Sequence, residues 1–374
     1  MESKSGLRTW VEVSRSAIAN NYGQFRKLLS PKTKIMAVVK SNAYGHGLWD
    51  FALLMQKLGA DFLAVDSIVE GVRLREKGVT IPLLVLGYTL PEKLDDAVKH
   101  NISLGVSTFE TLGTLRSGER ELMGLKIHLK IDTGMHRQGF LSRDVPAALD
   151  FIKDNLKNVV LEGVFTHFSS ADELSRMEST EKQIEEFDKI VLLVKSLGFD
   201  PIIHASNTAG IIRGINYDMV RIGKGMYGYY PSPAMKKEYT GKINLIPVLT
   251  WKTVVSEIKR LPEGGTVGYN ETERLPPGSV LAVLPVGYWH GYSRRVFSGV
   301  GRVKIKGKFA KVVGRVSMDM TSVLVTSIPG VNVLDEVELI SKDISADDLA
   351  LEQETINYEI LTHINPLIER IYVS

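Results

Sequence analysis

Eight short apolar runs, separated by segments of helical periodicity, occupy the first two thirds of the chain. No other feature constrains the fold as much. The runs are Lys34–Lys40, Phe62–Ser67, Pro82–Gly87, Ile102–Ser107, Lys126–Asp132, Val159–Phe168, Ile202–Asn207 and Met219–Gly223. Each has strand length, and most are rich in Val, Ile and Leu, as strands covered on both faces are. Between them, Leu48–Leu58 places Phe51, Leu54, Met55 and Leu58 on one stripe. Glu181–Leu197 does the same with Ile184, Phe187, Val191 and Val194. Eight strand–helix units of roughly 25–30 residues fit a (β/α)8 barrel, which typically needs ~250 residues. A doubly wound sheet alternates in the same way, and alternation alone does not separate the two.

The pattern changes after about Lys242. Strand-like runs at Thr250–Leu261, Ser279–Tyr288, Gly301–Lys306, Ala310–Val316 and Val323–Thr326 follow one another with turns and no helices between. Gly264-Gly265, Pro276-Pro277-Gly278 and Lys306-Gly307-Lys308 supply the turns. A barrel over residues 1–242 and a mostly antiparallel β domain over 243–374, with a helix near Ser345–Leu351, are therefore expected. Thr9–Val13 reads as a strand before the barrel that could join the second domain.

The 46 basic and 43 acidic residues give a formal charge of +3, too balanced to imply nucleic acid or a membrane surface as partner. The chain has no cysteine, which excludes disulfides, zinc–thiolate sites, iron–sulfur clusters and thiol nucleophiles. The histidines lack metal-ligand spacing, so no metal site is expected. No apolar run reaches the ~18 residues that span a bilayer, and no secretory signal is evident, so a cytoplasmic location is expected.

In barrels of this kind, sites gather where the strands end. The polar residues there converge from several strands. They are Lys40 after the first; Lys130, Asp132 and Arg137 at the fifth; His167 at the sixth; His204, Asn207 and Thr208 at the seventh; and Arg221, Gly223 and Lys224 at the eighth. A lysine ending an apolar run is partly desolvated, which favours the neutral, nucleophilic amine that forms Schiff bases. A lysine that snorkels to solvent is the plain alternative. Gly223–Gly228 (GKGMYG) matches a dinucleotide fingerprint in letters, but its place after the last strand does not fit one. Glycines there suit the phosphate site that barrels often build after strands seven and eight.

The run Ala37–Gly47 (AVVKSNAYGHG) closely resembles the cofactor-lysine signature of alanine racemases, with Ser41 the one departure. Lys130–Arg137 (KIDTGMHR), Thr166-His167-Phe168 with Asp172, and Met219–Gly223 with Met226-Tyr227-Gly228 resemble further segments of that family. So do Val286-Gly287-Tyr288, Gly314-Arg315 with Met318-Asp319, and Asn357-Tyr358-Glu359. The resemblance implies a pyridoxal 5'-phosphate enzyme that interconverts L- and D-alanine by two-base transfer of the Cα proton. It also implies a homodimer in which one subunit's second domain completes the other's site, and a product that feeds peptidoglycan synthesis in a bacterium.

By that resemblance Lys40 carries the cofactor as a Schiff base and acts as one base. Tyr269, from the partner subunit, acts as the other, hydrogen-bonded by His167. Arg221 faces the pyridine nitrogen and leaves it unprotonated. Arg137 binds the substrate carboxylate and is oriented by Lys130, which the family often carries as a carbamate. Tyr44, Asn207, Thr208, Gly223, Lys224 and Tyr358 bind the cofactor, chiefly its phosphate. Met318 and Tyr288 contact substrate, and Asp172 and Arg315 line the entrance. Several positions depart from the family pattern: Trp289 and His290 in Gly287–Gly291, Asn270 after Tyr269, Lys224, and Ser169-Ser170-Ala171. They bear on substrate choice and leave a serine or broad-specificity racemase as the alternative.

Overall fold

The computed structural model describes residues 4–117, 122–296 and 300–374. Their contacts separate two units: residues 17–43 with 48–246, and residues 4–16, 44–47 and 247–374.

In the first unit eight parallel strands close into a barrel. They are β2 (Lys34–Val38), β3 (Phe62–Val65), β4 (Leu83–Val85), β5 (Ser103–Val106), β6 (Leu125–Asp132), β7 (Val159–Phe165), β8 (Ile202–His204) and β9 (Met219–Ile222); β1 (Thr9–Ser14) lies in the other unit. Each strand pairs with the next, and β9 pairs with β2 at Val220 and Ile35 to close the ring. Closure excludes the open doubly wound sheet. Seven of the eight strands carry a helix of amphipathic pattern before the next strand, as at Leu48–Lys57 and Met177–Ser196. The first apolar run ends as a strand at Val38 rather than Lys40, because the chain turns sharply there.

The second unit is built on a nine-stranded sheet. Its strands are β1, β10 (Leu249–Val254), β11 (Glu257–Leu261), β12 (Ser279–Leu284), β13 (Arg302–Ile305), β14 (Lys308–Val313), β15 (Thr321–Leu324), β16 (Glu336–Ile340) and β17 (Glu369–Val373). Their order is β11-β12-β15-β14-β13-β16-β10-β1-β17. Only β1 and β17 pair in parallel. The helix near residue 345 is Ala346–Glu352, opened by a Ser345 capping box.

A separate hairpin pairs Gly265–Val267 with Glu273–Leu275. Val267 and Leu275 are buried against Leu281 and Val313, which anchors both arms. Burial of each such side chain contributes about 1.5–3 kcal/mol. Three lysines on and between β13 and β14 face carboxylates: Lys304 with Asp343, Lys306 with Asp335, Lys311 with Glu273. Among the described residues no helix is long and apolar enough to cross a membrane.

Candidate active site

In the barrel unit, Lys40 opens a turn in which Ser41, Asn42 and Ala43 all have φ between 50° and 56°. A left-handed turn of L-residues costs roughly 1–2 kcal/mol per residue. Strain of this size persists only where the surroundings over-determine it. Here the Glu70 carboxylate accepts the Ser41 N–H at 2.8 Å and the Asp66 N–H at 2.9 Å, while Asn42 Oδ1 accepts the Leu48 N–H at 3.0 Å. The turn sets the Lys40 ammonium 3.2 Å from Asp66, a partner that sequence spacing did not suggest.

Asp132, at the end of β6, organises the next loop. Its Oδ1 accepts the N–H groups of Gly134, Met135 and His136 at 2.9, 2.9 and 3.0 Å, and Oδ2 accepts that of Arg137 at 3.0 Å. Burial raises its carboxyl, but the four backbone donors outweigh burial and hold it below the ordinary value. Lys130, Asp132, Met135, Arg137, Gln138 and His167 line a small cleft. Lys130 is buried and donates to Gln138 Oε1 at 3.1 Å. Burial, with the positive charges of Arg137, Arg221 and Lys40, pulls its amine down to about 8. The Arg137 guanidinium has no hydrogen-bond acceptor among the described residues.

Arg221, on β9, is 3% exposed and lies at the centre of this group. Burial pulls its guanidinium down to about 9, so it stays a cation at neutral pH. Nη1 donates to His204 Nδ1 at 2.9 Å and to the His204 carbonyl at 3.0 Å. Nη2 spends its two N–H groups on the carbonyls of Thr166 and Ala205 at 2.6 and 2.8 Å, and His167 Nδ1 lies 3.3 Å from it, sharing one of them. Nε alone has no partner among the described residues. Because arginine only donates, His167 must accept at Nδ1 and carry its proton on Nε2. Burial and the charges of Arg221, Arg137, Lys130 and Lys40 push His167 down to about 3, so the ring is neutral.

After β8, Asn207 caps the short helix Thr208–Ile212 by accepting the Gly210 N–H at 3.1 Å. It therefore positions Thr208, whose hydroxyl accepts the Gly225 N–H at 3.3 Å. A Cβ on Gly225 would lie 2.3 Å from Phe25 and 2.9 Å from Thr208, so only glycine lets the Gly223–Gly225 backbone approach. The Lys224 ammonium donates to the Pro231 carbonyl at 3.0 Å. Asp172, half-buried, accepts from Ser232 through its carbonyl.

In the β unit, Tyr44 and Tyr358 have ring centroids 5.7 Å apart. Tyr269 stands at the tip of the hairpin, 62% exposed. Gly268, Asn270 and Glu271 around it all have positive φ. Arg294 lies 6.0 Å from the Tyr269 ring and 5.9 Å from the Tyr288 ring, and donates to the Val316 carbonyl at 2.9 Å. Sequence reading missed this arginine. The Tyr288 and Trp289 N–H groups donate to the Ser317 and Met318 carbonyls, both at 3.0 Å, which ties Tyr288 to the loop carrying Met318. The exposed Arg315 passes the hairpin, its N–H 3.1 Å from where a Gly268 Cβ would stand.

The barrel residues form a concentration of cations around an N–H donor with no partner among the described residues, a setting suited to an anionic ligand. The family model described as alanine racemase, N-terminal domain, matches residues 13–231, and that described as alanine racemase, C-terminal domain, matches 248–372. The chain is 38% identical to an alanine racemase of Methanococcus maripaludis, covering 97% of this chain and 98% of that one. It is 39% identical to one of Halothermothrix orenii, covering 97% and 96%. Among solved structures it is similar to an alanine racemase of Clostridium difficile 630, with TM-score 0.93, 34% identity and coverage of 99% and 97%. It is also similar to one from Bacillus anthracis with bound L-Ala-P, with TM-score 0.92, 33% identity and coverage of 100% and 96%.

Proposed function

The chain belongs to the alanine racemase family, and we propose that it interconverts L- and D-alanine by moving the Cα proton between two bases, Lys40 and Tyr269. It is an amino-acid racemase by that membership. The relatives' names do not favour the serine or broad-specificity alternative.

One observation carries the cofactor assignment. Every Arg221 N–H except Nε–H is committed within the barrel, which leaves one donor of this buried arginine for a further acceptor. A pyridine nitrogen is such an acceptor, and the Thr208 hydroxyl lies against the glycine-bearing Gly223–Gly225 backbone, 3.3 Å from the Gly225 nitrogen, where a phosphate could be held. Pyridoxal 5'-phosphate fits these residues. When bound, it supplies an aldehyde for amino groups and a conjugated ring that withdraws electrons from Cα. Arg221 would face the ring nitrogen, while Thr208, Gly223 and Lys224 would hold the phosphate.

Racemisation needs one group on each face of a planar carbon, the first to take the proton and the second to return one. Lys40 Nζ serves one face. Tyr269 Oη serves the other, and a phenol of ordinary acidity is protonated at neutral pH. His167, neutral with its proton on Nε2, offers a donor that favours the phenolate. Arg137 takes the substrate carboxylate, and Asp132 fixes the loop that presents it. Lys130 at about 8 is partly neutral near physiological pH. Its amine can therefore add carbon dioxide, forming an N–C bond and releasing a proton. The resulting carbamate would supply the acceptor that Arg137 lacks.

The exposed Tyr269, Tyr288 and Met318 support a homodimer in which the hairpin of one copy serves the barrel of the other. Purified protein given L-alanine and pyridoxal 5'-phosphate should produce D-alanine until the enantiomers are equal, as read by chiral chromatography. No D-alanine at saturating cofactor would overturn the assignment.

A further inference from the structure

A chain of hydrogen bonds leaves Arg221 on the side away from its Nε and runs through the barrel interior. His204 Nε2 lies 2.9 Å from His128 Nδ1, and His128 Nε2 lies 3.0 Å from Glu162 Oε2. Ser103 Oγ donates to the same Glu162 oxygen, and Lys126 Nζ stands 3.4 Å from the other. Both imidazoles are fully buried. The Glu162 side chain is 14% exposed, so the chain ends near solvent.

The two ends fix the direction of every bond. Arginine can only donate, so His204 Nδ1 accepts and its proton sits on Nε2. His128 Nδ1 therefore accepts, its proton also sits on Nε2, and that proton goes to a carboxylate that can only accept. The local structure is built around this arrangement. The β6–β7 register slips between Ile127 and His128, and residue 163 opposite is glycine. A Cβ there would lie 2.1 Å from His128 Nδ1. Phe165 stacks on His204 at 4.9 Å with 7° between planes, which holds that ring in its plane.

We infer that Glu162 is a positioning residue for the racemase site: through His128 and His204 it keeps an acceptor in front of Arg221 Nη1, so that Nε is held toward the cofactor ring. Without Glu162, His128 can place its proton on Nδ1. It then meets the His204 Nε2–H head-on, and the resulting shift of the His204 proton to Nδ1 puts a donor against Arg221. The effect on catalysis rests on the racemase reading. The tautomers do not.

The test uses full-length protein labelled with 15N at histidine, without and with pyridoxal 5'-phosphate. Wild type should show His128 and His204 neutral and protonated at Nε2 across neutral pH. Glu162→Gln keeps an acceptor oxygen for His128 Nε2. It should keep that signature and retain kcat within a few-fold. Glu162→Leu, and independently Gly163→Ala with Glu162 intact, should lose it. Each should lower kcat about 10- to 100-fold, the rate equivalent of one hydrogen bond to a charged group, and leave KM for alanine within about twofold. An unchanged signature in both variants overturns the inference, and so does a lost signature with unchanged kcat. Wild type that shows the tautomers but no racemisation supports the relay while removing the racemase reading.

Discussion

Asp132→Asn isolates the contribution of one oxygen to the loop that carries Arg137. In the native loop Oδ1 serves Gly134, Met135 and His136, and Oδ2 serves Arg137 alone. An asparagine keeps one oxygen, which stays with the three donors. Its NH2 then faces the Arg137 N–H, a donor against a donor. The loss is one hydrogen bond to a charged acceptor, worth about 1.5–3 kcal/mol. Gly134, His136 and Arg137 are exposed, so water replaces part of it and the cost falls near 2 kcal/mol. For a unit of this size that lowers Tm by about 4–8 °C. The carboxyl is held below its ordinary value in the fold, so it adds stability above about pH 4 that is lost as pH falls through the depressed value. The variant should lack that acid-side loss. Calorimetry reads both effects, and a steady-state assay should show a higher KM for alanine with a smaller change in kcat. A variant with wild-type Tm and wild-type KM would refute the claim that Asp132 positions Arg137.

As the free amine, in buffer stripped of carbon dioxide, Lys130 reaches about 8 when folded against 10.5 ordinarily, so between those values the unfolded chain holds more protons and stability must rise with pH. Urea titrations should show that rise in the wild type and its loss in Lys130→Met, and a rise that survives the substitution would assign it elsewhere. Gly225→Ala drives a methyl to 2.3 Å from Phe25 and 2.9 Å from Thr208. It should weaken cofactor retention on dialysis more than it lowers Tm, and normal retention would contradict the phosphate cradle. Lys40→Ala should abolish the long-wavelength absorbance of the cofactor-bound protein, and an unchanged spectrum would remove Lys40 as the attachment point.

The strand ends that carry Lys40, Lys130, Asp132, Arg137, His167 and Arg221 were legible because a charged or polar group closing an apolar run adds nothing to packing. The left-handed turn at Ser41–Tyr44 was not, since no glycine marks it and its cause is a carboxylate twenty-nine residues on from Ser41, at Glu70. The relay from Arg221 to Glu162 was equally hidden. Its partners stand 17, 76 and 34 positions apart, and only barrel closure and one register slip bring them together. The hairpin under Tyr269 went unread because each arm has three residues, too short for alternation to show. β16 and β17 also went unread, both being short and rich in charge.

The central claim is that Lys40 and Tyr269 serve opposite faces of one carbon. Exchange of the Cα proton in heavy water, followed by NMR for each alanine enantiomer with wild type and Tyr269→Phe, tests it directly. Wild type should exchange both enantiomers while racemising them. Tyr269→Phe should stop racemisation yet still exchange one enantiomer through Lys40. Racemisation by that variant, or exchange of both enantiomers, would contradict the two-base account.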